Sequence, residues 1–261
     1  MAYVCLGRCE KLEDIHIVGK FNPDCIKVDE RALEETKRLH QLFIAEKSKV
    51  ESEFNDCFTI TYLNVNRLFP HLDDIELDHE LMRSDIISLG ETWMKKDDTV
   101  TFEAQGFKGI FANVGDGQGL ASFAKSFNQA SFELSTDQTF SATFIKTVAV
   151  DIISLYLSQD FDWAKLKMIL DEWIMDQRPV AIIGDVNLNY NEKKKHPFIN
   201  YLEKMNFMQL IKKPTHDKGG LLDHIYINKK LQEQKSFSRQ RSVYYSDHDA
   251  ITLHIPISIS Q

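Results

Sequence analysis

Seven polar groups, Asn64, Glu91, Tyr156, Asp185, Asn187, Asp223 and the pair Asp247-His248, stand at the margins of apolar, strand-like runs. Their types suit phosphodiester hydrolysis. That reaction needs an in-line water, neutralisation of charge on the phosphoryl oxygens and stabilisation of the leaving alkoxide. Glu91 is a hard oxygen ligand suited to a largely hydrated Mg²⁺, with the neutral carboxamide of Asn64 beside it. A metal there would act as a Lewis acid. His248, with an ordinary pKa of about 6.5, suits proton transfer at neutral pH, and Asp223 can hold its second ring nitrogen.

Strands are the elements that must position these groups. Phe58–Leu63 leads into Asn64, Asp85–Gly90 into Glu91, Ile152–Leu155 into Tyr156, and Pro179–Ile183 into Gly184-Asp185-Val186-Asn187. Leu221-Leu222 introduces Asp223 ahead of His224–Ile227, and Ser246-Asp247-His248 precedes Ile251–Ile255. One such residue alone would be a turn residue or strand cap. The whole set predicts a site along one sheet edge, where open α/β folds hold ligands. The periodicity further predicts a helix over Pro70–Arg83, strands over Phe107–Ala112, Leu120–Ala124 and Ser141–Leu157, and a helix over Pro197–Phe207. The clearest helix is Asp162–Gln177, N-capped by Asp162, with Trp163, Leu166, Ile169, Leu170, Trp173 and Ile174 on its core face. With 261 residues, 43% of them hydrophobic, the chain can bury one large core.

The ordered series Leu63-Asn64-Val65-Asn66, Gly90-Glu91-Thr92-Trp93, Tyr156, Gly184-Asp185-Val186-Asn187, Leu222-Asp223-His224-Ile225 and Ser246-Asp247-His248 resembles the endonuclease/exonuclease/phosphatase superfamily over residues 57–258. The resemblance implies an α/β fold of two packed mixed sheets flanked by helices, a four-layer sandwich. It also implies that Asp185 orients or activates the attacking water and that Asn187 hydrogen-bonds it or the phosphate. Tyr156 would sit near the phosphate and Asp247 in the metal region with Glu91 and Asn64. Mg²⁺, or Mn²⁺ in its place, would be the cofactor, and either Asp185 or His248 takes the proton. Thr215 is a candidate for phosphate contact, and His216, His224 and His254 read as surface or packing histidines. Many relatives carry Tyr-x-Pro-Asn where this chain has Tyr156-Leu157-Ser158-Gln159, so Gln159 must replace a shorter carboxamide on a turn relaxed by the lost proline. Specificity for abasic sites is not implied.

Residues 1–50 precede the first strand. Ala2–Cys9, with Leu12–Ile17 and Ile26–Asp29, resembles the last conserved motif and C-terminal tail of accessory replicative helicases, in particular those of Helitron rolling-circle transposons. Arg8 matches an arginine that contacts the ATP γ-phosphate in that family, whereas Gly7 replaces its usual serine. No phosphate-binding loop occurs anywhere in the chain, so this segment reads as a helicase remnant with no nucleotide cofactor. The charged stretch 31–53 reads as a solvated linker helix.

Cys5, Cys9, Cys25 and Cys57 are spaced poorly for zinc. There is no long apolar run and no basic-plus-apolar leader, so membrane association is not expected and a nuclear or cytoplasmic location is. The net charge of −8 opposes nucleic-acid binding only on average. Between Tyr190 and Tyr245 twelve Lys and Arg face five acids, a local excess of +7 that includes Lys193, Lys194 and Lys195 as candidate substrate contacts. Together these features lead to the expectation of a Mg²⁺-dependent DNA endonuclease of Helitron or retroelement type. The alternatives are a phosphoesterase acting on RNA, poly(A) or a phosphoinositide, and an inactive, domesticated nucleic-acid-binding module.

Overall fold

The computed structural model describes residues 57–257, apart from 103–105, 115–117, 127–128, 175–177 and 193–194, together with Glu34, Lys37 and Arg38. The chain divides after Ser52. Of the expected linker helix, Glu34, Lys37 and Arg38 are helical and exposed; the helicase-like motif, Cys5, Cys9, Cys25, Lys193 and Lys194 lie outside the described residues. Cys57 is buried at the start of the first strand. No helix among the described residues is long and apolar enough to cross a membrane.

Among the described residues twelve strands form two six-stranded mixed sheets. The first has the order β11(Phe237–Arg241), β12(Ala250–Pro256), β1(Cys57–Asn64), β2(Ile86–Gly90), β4(Leu120–Lys125), β3(Phe107–Ala112). The second has the order β5(Ser131–Thr136), β6(Phe140–Lys146), β7(Asp151–Leu157), β8(Val180–Asp185), β10(Asp223–Ile227), β9(Met208–Gln209). Each sheet is built around one parallel pair, β1 with β2 and β7 with β8, and every other pairing is antiparallel.

Alternation along the strands divides the apolar residues between two faces. Ile60, Tyr62, Ile86 and Leu120 of the first sheet meet Ile152, Ala181, Ile183 and Ile225 of the second in the inter-sheet core. Leu63, Ile87, Leu89 and Phe123 face outward under helices α1(Leu72–Leu77) and α2(His79–Arg83). Phe144, Ile153, Leu155 and Ile182 face outward under α3(Trp163–Trp173) and α4(Pro197–Lys204). With a short α5(Lys229–Glu233), these layers form a four-layer α/β sandwich.

Burying hydroxyls between sheets requires that each find a partner. Ser88 Oγ lies 2.9 Å from Ser122 Oγ and 2.7 Å from Ser154 Oγ, and Ser122 Oγ lies 2.7 Å from Thr143 Oγ1. This chain of hydroxyls ties the two sheets together through their core.

Local details depart from the sequence expectations where distant contacts intervene. The helix expected over Pro70–Arg83 is a 3₁₀ turn, Phe69–His71, followed by α1 and α2. Asp78 separates the two by capping the Leu81 N–H at 3.1 Å while accepting Arg241 and Tyr245 from the far end of the chain. The strand expected over Ser141–Leu157 is a hairpin, β6 and β7, closed by Thr147 Oγ1 donating to Val150 O at 2.7 Å. Helix α3 ends earlier than expected, at Trp173, but its Asp162 cap is present, accepting the Lys165 N–H at 3.1 Å. α4 likewise ends at Lys204 rather than Phe207.

Candidate active site

Sheet topology gathers the polar series at one edge. The carboxyl ends of the parallel strands β1, β2, β7 and β8 carry Asn64, Glu91, Tyr156 and Asp185. β10 and β12 run antiparallel to β8 and β1, so their starts, with Asp223 and His248, reach that same edge. Tyr156, Asp185 and Asp223 are consecutive cross-strand partners in one row. Gly184 permits this row to close up, since a Cβ there would lie 1.9 Å from the Leu155 carbonyl oxygen.

Asp185 is 1% exposed and Asp223 is fully buried. Asp185 Oδ2 accepts the Asn64 carboxamide at 2.9 Å, and Oδ1 accepts the Asn187 backbone N–H at 2.9 Å. Asn187 Nδ2 donates to the Leu157 carbonyl at 2.9 Å and also reaches Asp185 Oδ2 at 3.5 Å. His248 Nδ1 and Asp223 Oδ2 are 2.8 Å apart, so Nδ1–H donates to the carboxylate and Nε2 is the ring nitrogen left for other work. Ser246 Oγ donates to the Asn64 carbonyl at 2.6 Å and accepts the His248 N–H at 3.0 Å, which fastens the His248 loop to the end of β1. Across the site, Tyr156 Oη donates to Glu91 Oε1 at 2.8 Å.

Burial and the neighbouring Asp223 raise the Asp185 carboxyl far above the ordinary carboxylate range, to about 8. Burial alone would lower the His248 imidazole, but the bond to Asp223 and the surrounding carboxylates outweigh it and raise the ring to about 9. Burial and the Glu91 carboxylate push the Tyr156 phenol upward. One carboxyl is therefore unusually basic, beside an imidazole that readily holds its proton.

The backbone is strained at this edge. Asn66, Arg67, Glu91, Trp93 and Asn187 all have positive φ, at 41°, 87°, 49°, 54° and 50°. Left-handed backbone at residues other than glycine costs about 1–3 kcal/mol each and persists where surrounding structure over-determines it. Here Val65 N–H and Arg67 N–H continue the β1–β2 pairing onto Gly90 O and Glu91 O, at 3.0 and 2.9 Å.

An open cleft of about 460 Å³ lies over this edge, lined in part by Asn66, Glu91, Gln159, Asn187, Asp247 and His248. Gln159, Glu91 and Asp247 are thus brought together on one cleft. Asn64 lies beneath the cleft, its carboxamide committed to Asp185 and, through Oδ1, to the Asn66 N–H at 3.1 Å. The cleft and the buried acids beneath it carry oxygen donors suited to a divalent cation. Glu91 and Asp247 bring two carboxylates to one cleft, and Asp185, Asp223 and His248 offer ligand atoms within 4.8 Å of one another. Asp223 Oδ1 is buried without a hydrogen-bond partner among the described residues.

Thr215 does not contact the cleft: it is 2% exposed, and its Oγ1 accepts the Leu222 and Asp223 N–H groups at 3.2 and 3.0 Å, holding the start of β10. Lys195 is held by Glu203 and lies over the Tyr190 ring. Arg241 and Arg239 are drawn to Asp78 and Glu80. These three of the twelve basic residues are therefore matched by acids. His224 and His254 are buried packing residues, as expected. His216 is neither surface nor packing alone; it lines the cleft, together with Asn189 and Lys218, in a loop whose composition carried no such signal.

No protein-family model matches the sequence, and no curated protein matches it. Solved structures share the fold. A 3′-5′ exonuclease from Neisseria meningitidis is similar over 76% of this chain and 100% of its own, with TM-score 0.59 and 18% identity. The endonuclease domain of TRAS1, a telomere-specific non-LTR retrotransposon, is similar over 77% of this chain and 98% of its own, with TM-score 0.57 and 15% identity. An AP endonuclease from Archaeoglobus fulgidus is similar over 77% of this chain and 100% of its own, with TM-score 0.59 and 16% identity.

Proposed function

We propose that the chain is a divalent-metal-dependent phosphodiesterase, and specifically a DNA endonuclease of mobile-element type that nicks its substrate. The observation that carries this reading is the meeting of the Asp185, Asp223 and His248 ligand atoms within 4.8 Å at the edge where Asn64, Glu91, Tyr156 and Asn187 also end their strands. The fold neighbours that are nucleases support the substrate class, and the retrotransposon endonuclease supports the mobile-element assignment.

Glu91 and Asp247 would hold Mg²⁺, or Mn²⁺ in its place, with Asn64 behind them. The ion would neutralise phosphoryl charge. Asp185, made basic by burial, is placed to take the proton of the attacking water, which Asn187 orients from its bonds to Asp185 and Leu157. His248 turns Nε2 to the cleft with Nδ1 anchored on Asp223, so its ring proton is available to the phosphate or the leaving oxygen. Tyr156 steadies Glu91.

Conversion of supercoiled plasmid to nicked circles with Mg²⁺, and none with EDTA, is the expected result. Asp185→Ala and His248→Ala should each cost roughly 10²-fold or more from lost proton transfer. Unchanged nicking by either variant would reject the assignment. The pairing of Lys195, Arg239 and Arg241 with acids favours one second reading, a smaller phosphoester substrate that needs no long electrostatic track.

A further inference from the structure

We infer that His216 and Lys218 form a second phosphate subsite in the cleft, one that takes the phosphate flanking the scissile one. The inference rests on the phosphodiesterase reading above.

Three observations carry it. The His216 ring packs edge-on against His248, with centroids 4.6 Å apart, and the two residues form a β-bridge, so His216 occupies a fixed place beside the proposed reaction centre. Its tautomer is also fixed. The Lys218 backbone N–H donates to His216 Nδ1 at 3.0 Å, which leaves the ring proton on Nε2. Lastly, among the described residues that Nε2–H faces the Asp247 carboxylate at 3.6 Å, a long ion-pair contact and no tight hydrogen bond. A donor held this way beside a cleft suits an anionic oxygen.

The same loop brings the charge. Lys218 is exposed and lines the cleft. Gly219, at φ 86°, turns the chain back so that His216 and Lys218 share the cleft wall with the Asn189 carboxamide. The cleft lining thus carries donors, His216, Lys218 and Asn189, as well as the carboxylates of Glu91 and Asp247. A nucleic-acid strand presents phosphates in succession, so a donor set next to a hydrolytic centre matches the neighbouring phosphate rather than the reacting one.

The test compares the dinucleotide TpT with its 5′- and 3′-phosphorylated forms, pTpT and TpTp, under steady-state conditions with Mg²⁺. One of the two phosphorylated forms should show a KM about tenfold below that of TpT, the scale of one charge-assisted contact. That advantage should vanish in His216→Gln and in Lys218→Gln, the second being an exposed side chain whose replacement leaves the fold alone. If neither form gains, or if both variants keep the gain, the subsite is wrong. A loss of kcat in His216→Gln with the KM advantage intact would instead make His216 a positioning residue for His248 and overturn the inference. Titration of the metal-free protein with inorganic phosphate, followed on the His216 ring NMR signals, separates the two readings. Saturable shifts that weaken in Lys218→Gln support the subsite even if no substrate is cleaved. No shift rejects it even if cleavage proceeds.

Discussion

The Asn64 carboxamide, at the end of β1 in one sheet, donates to Asp185 Oδ2, at the end of β8 in the other, across 2.9 Å. This bond spans the sandwich at the site itself. It also favours the ionised form of Asp185 against the burial that raises it. Asn64→Ala is therefore expected to leave a still more proton-retaining Asp185 and to lower nicking about 10–100-fold, as loss of a supporting hydrogen bond commonly does. Activity equal to wild type, in protein of unchanged thermal stability, would show that Asp185 needs no such restraint.

Asp223 orients His248 through the 2.8 Å contact to Nδ1. Asp223→Asn keeps the shape but lets the amide donate to Nδ1, which then selects the tautomer carrying its proton on Nε2 and weakens the imidazolium. The expected outcome is a loss of kcat of about 10²-fold or more with little change in KM. A variant that loses KM alone would move Asp223 from orienting His248 to binding substrate.

Tyr156→Phe removes the phenol that donates to Glu91 Oε1 at 2.8 Å while preserving the buried ring. Glu91 then loses a fixed orientation, so the Mg²⁺ concentration for half-maximal activity should rise about tenfold or more. Saturating Mg²⁺ should restore part of the rate. If the Mg²⁺ dependence is unmoved and kcat falls, Tyr156 acts on phosphate rather than through Glu91.

Much of this site was legible because its residues end apolar runs. Val180–Ile183 and Ile60–Leu63 have to be strands, and those strands end on Asp185 and Asn64. What the residues themselves did not disclose depends on contacts far apart in sequence. Asp78 breaks a helix because Arg241 and Tyr245 reach it from the far end of the chain. The edge strand Ser131–Thr136 shows no clean alternation: Phe132 packs against the core, whereas Leu134 on the same face is exposed. His216 and Thr215 are neighbours with opposite fates: the Thr215 hydroxyl turns inward to the backbone of β10, and the His216 ring turns to the cleft. No periodicity separates them, since a hairpin loop sets both directions.

The basic excess between Tyr190 and Tyr245 divides by pairing. Lys195 is held by Glu203, so Lys195→Gln should leave the salt dependence of DNA binding unchanged. Lys218 lines the cleft, so Lys218→Gln should lower the slope of log K against log salt by up to about 0.9 on duplex DNA. Filter-binding or anisotropy titrations across a salt series decide it. A reduced slope in Lys195→Gln would mean that the ion pair opens to meet phosphate.

His254 ties acid stability to the fold. It is fully buried in β12, its ring stacked on Phe237 with centroids 4.7 Å apart. Burial, with Arg239 nearby, lowers its pKa from 6.5 to about 4. Between those values the unfolded chain binds a proton that the native state refuses, so unfolding is favoured progressively as pH falls from about 6.5 towards 4, and stability is regained as pH rises. At about 1.4 kcal/mol per pKa unit the ceiling is about 3 kcal/mol, a large share of ordinary domain stability. Urea unfolding of wild type at a series of pH values should show this decline, and His254→Phe, which keeps an aromatic ring against Phe237 and cannot be protonated, should flatten it. If the two proteins lose stability in parallel over that range, other groups carry the acid sensitivity and His254 takes up its proton equally in the folded and unfolded states.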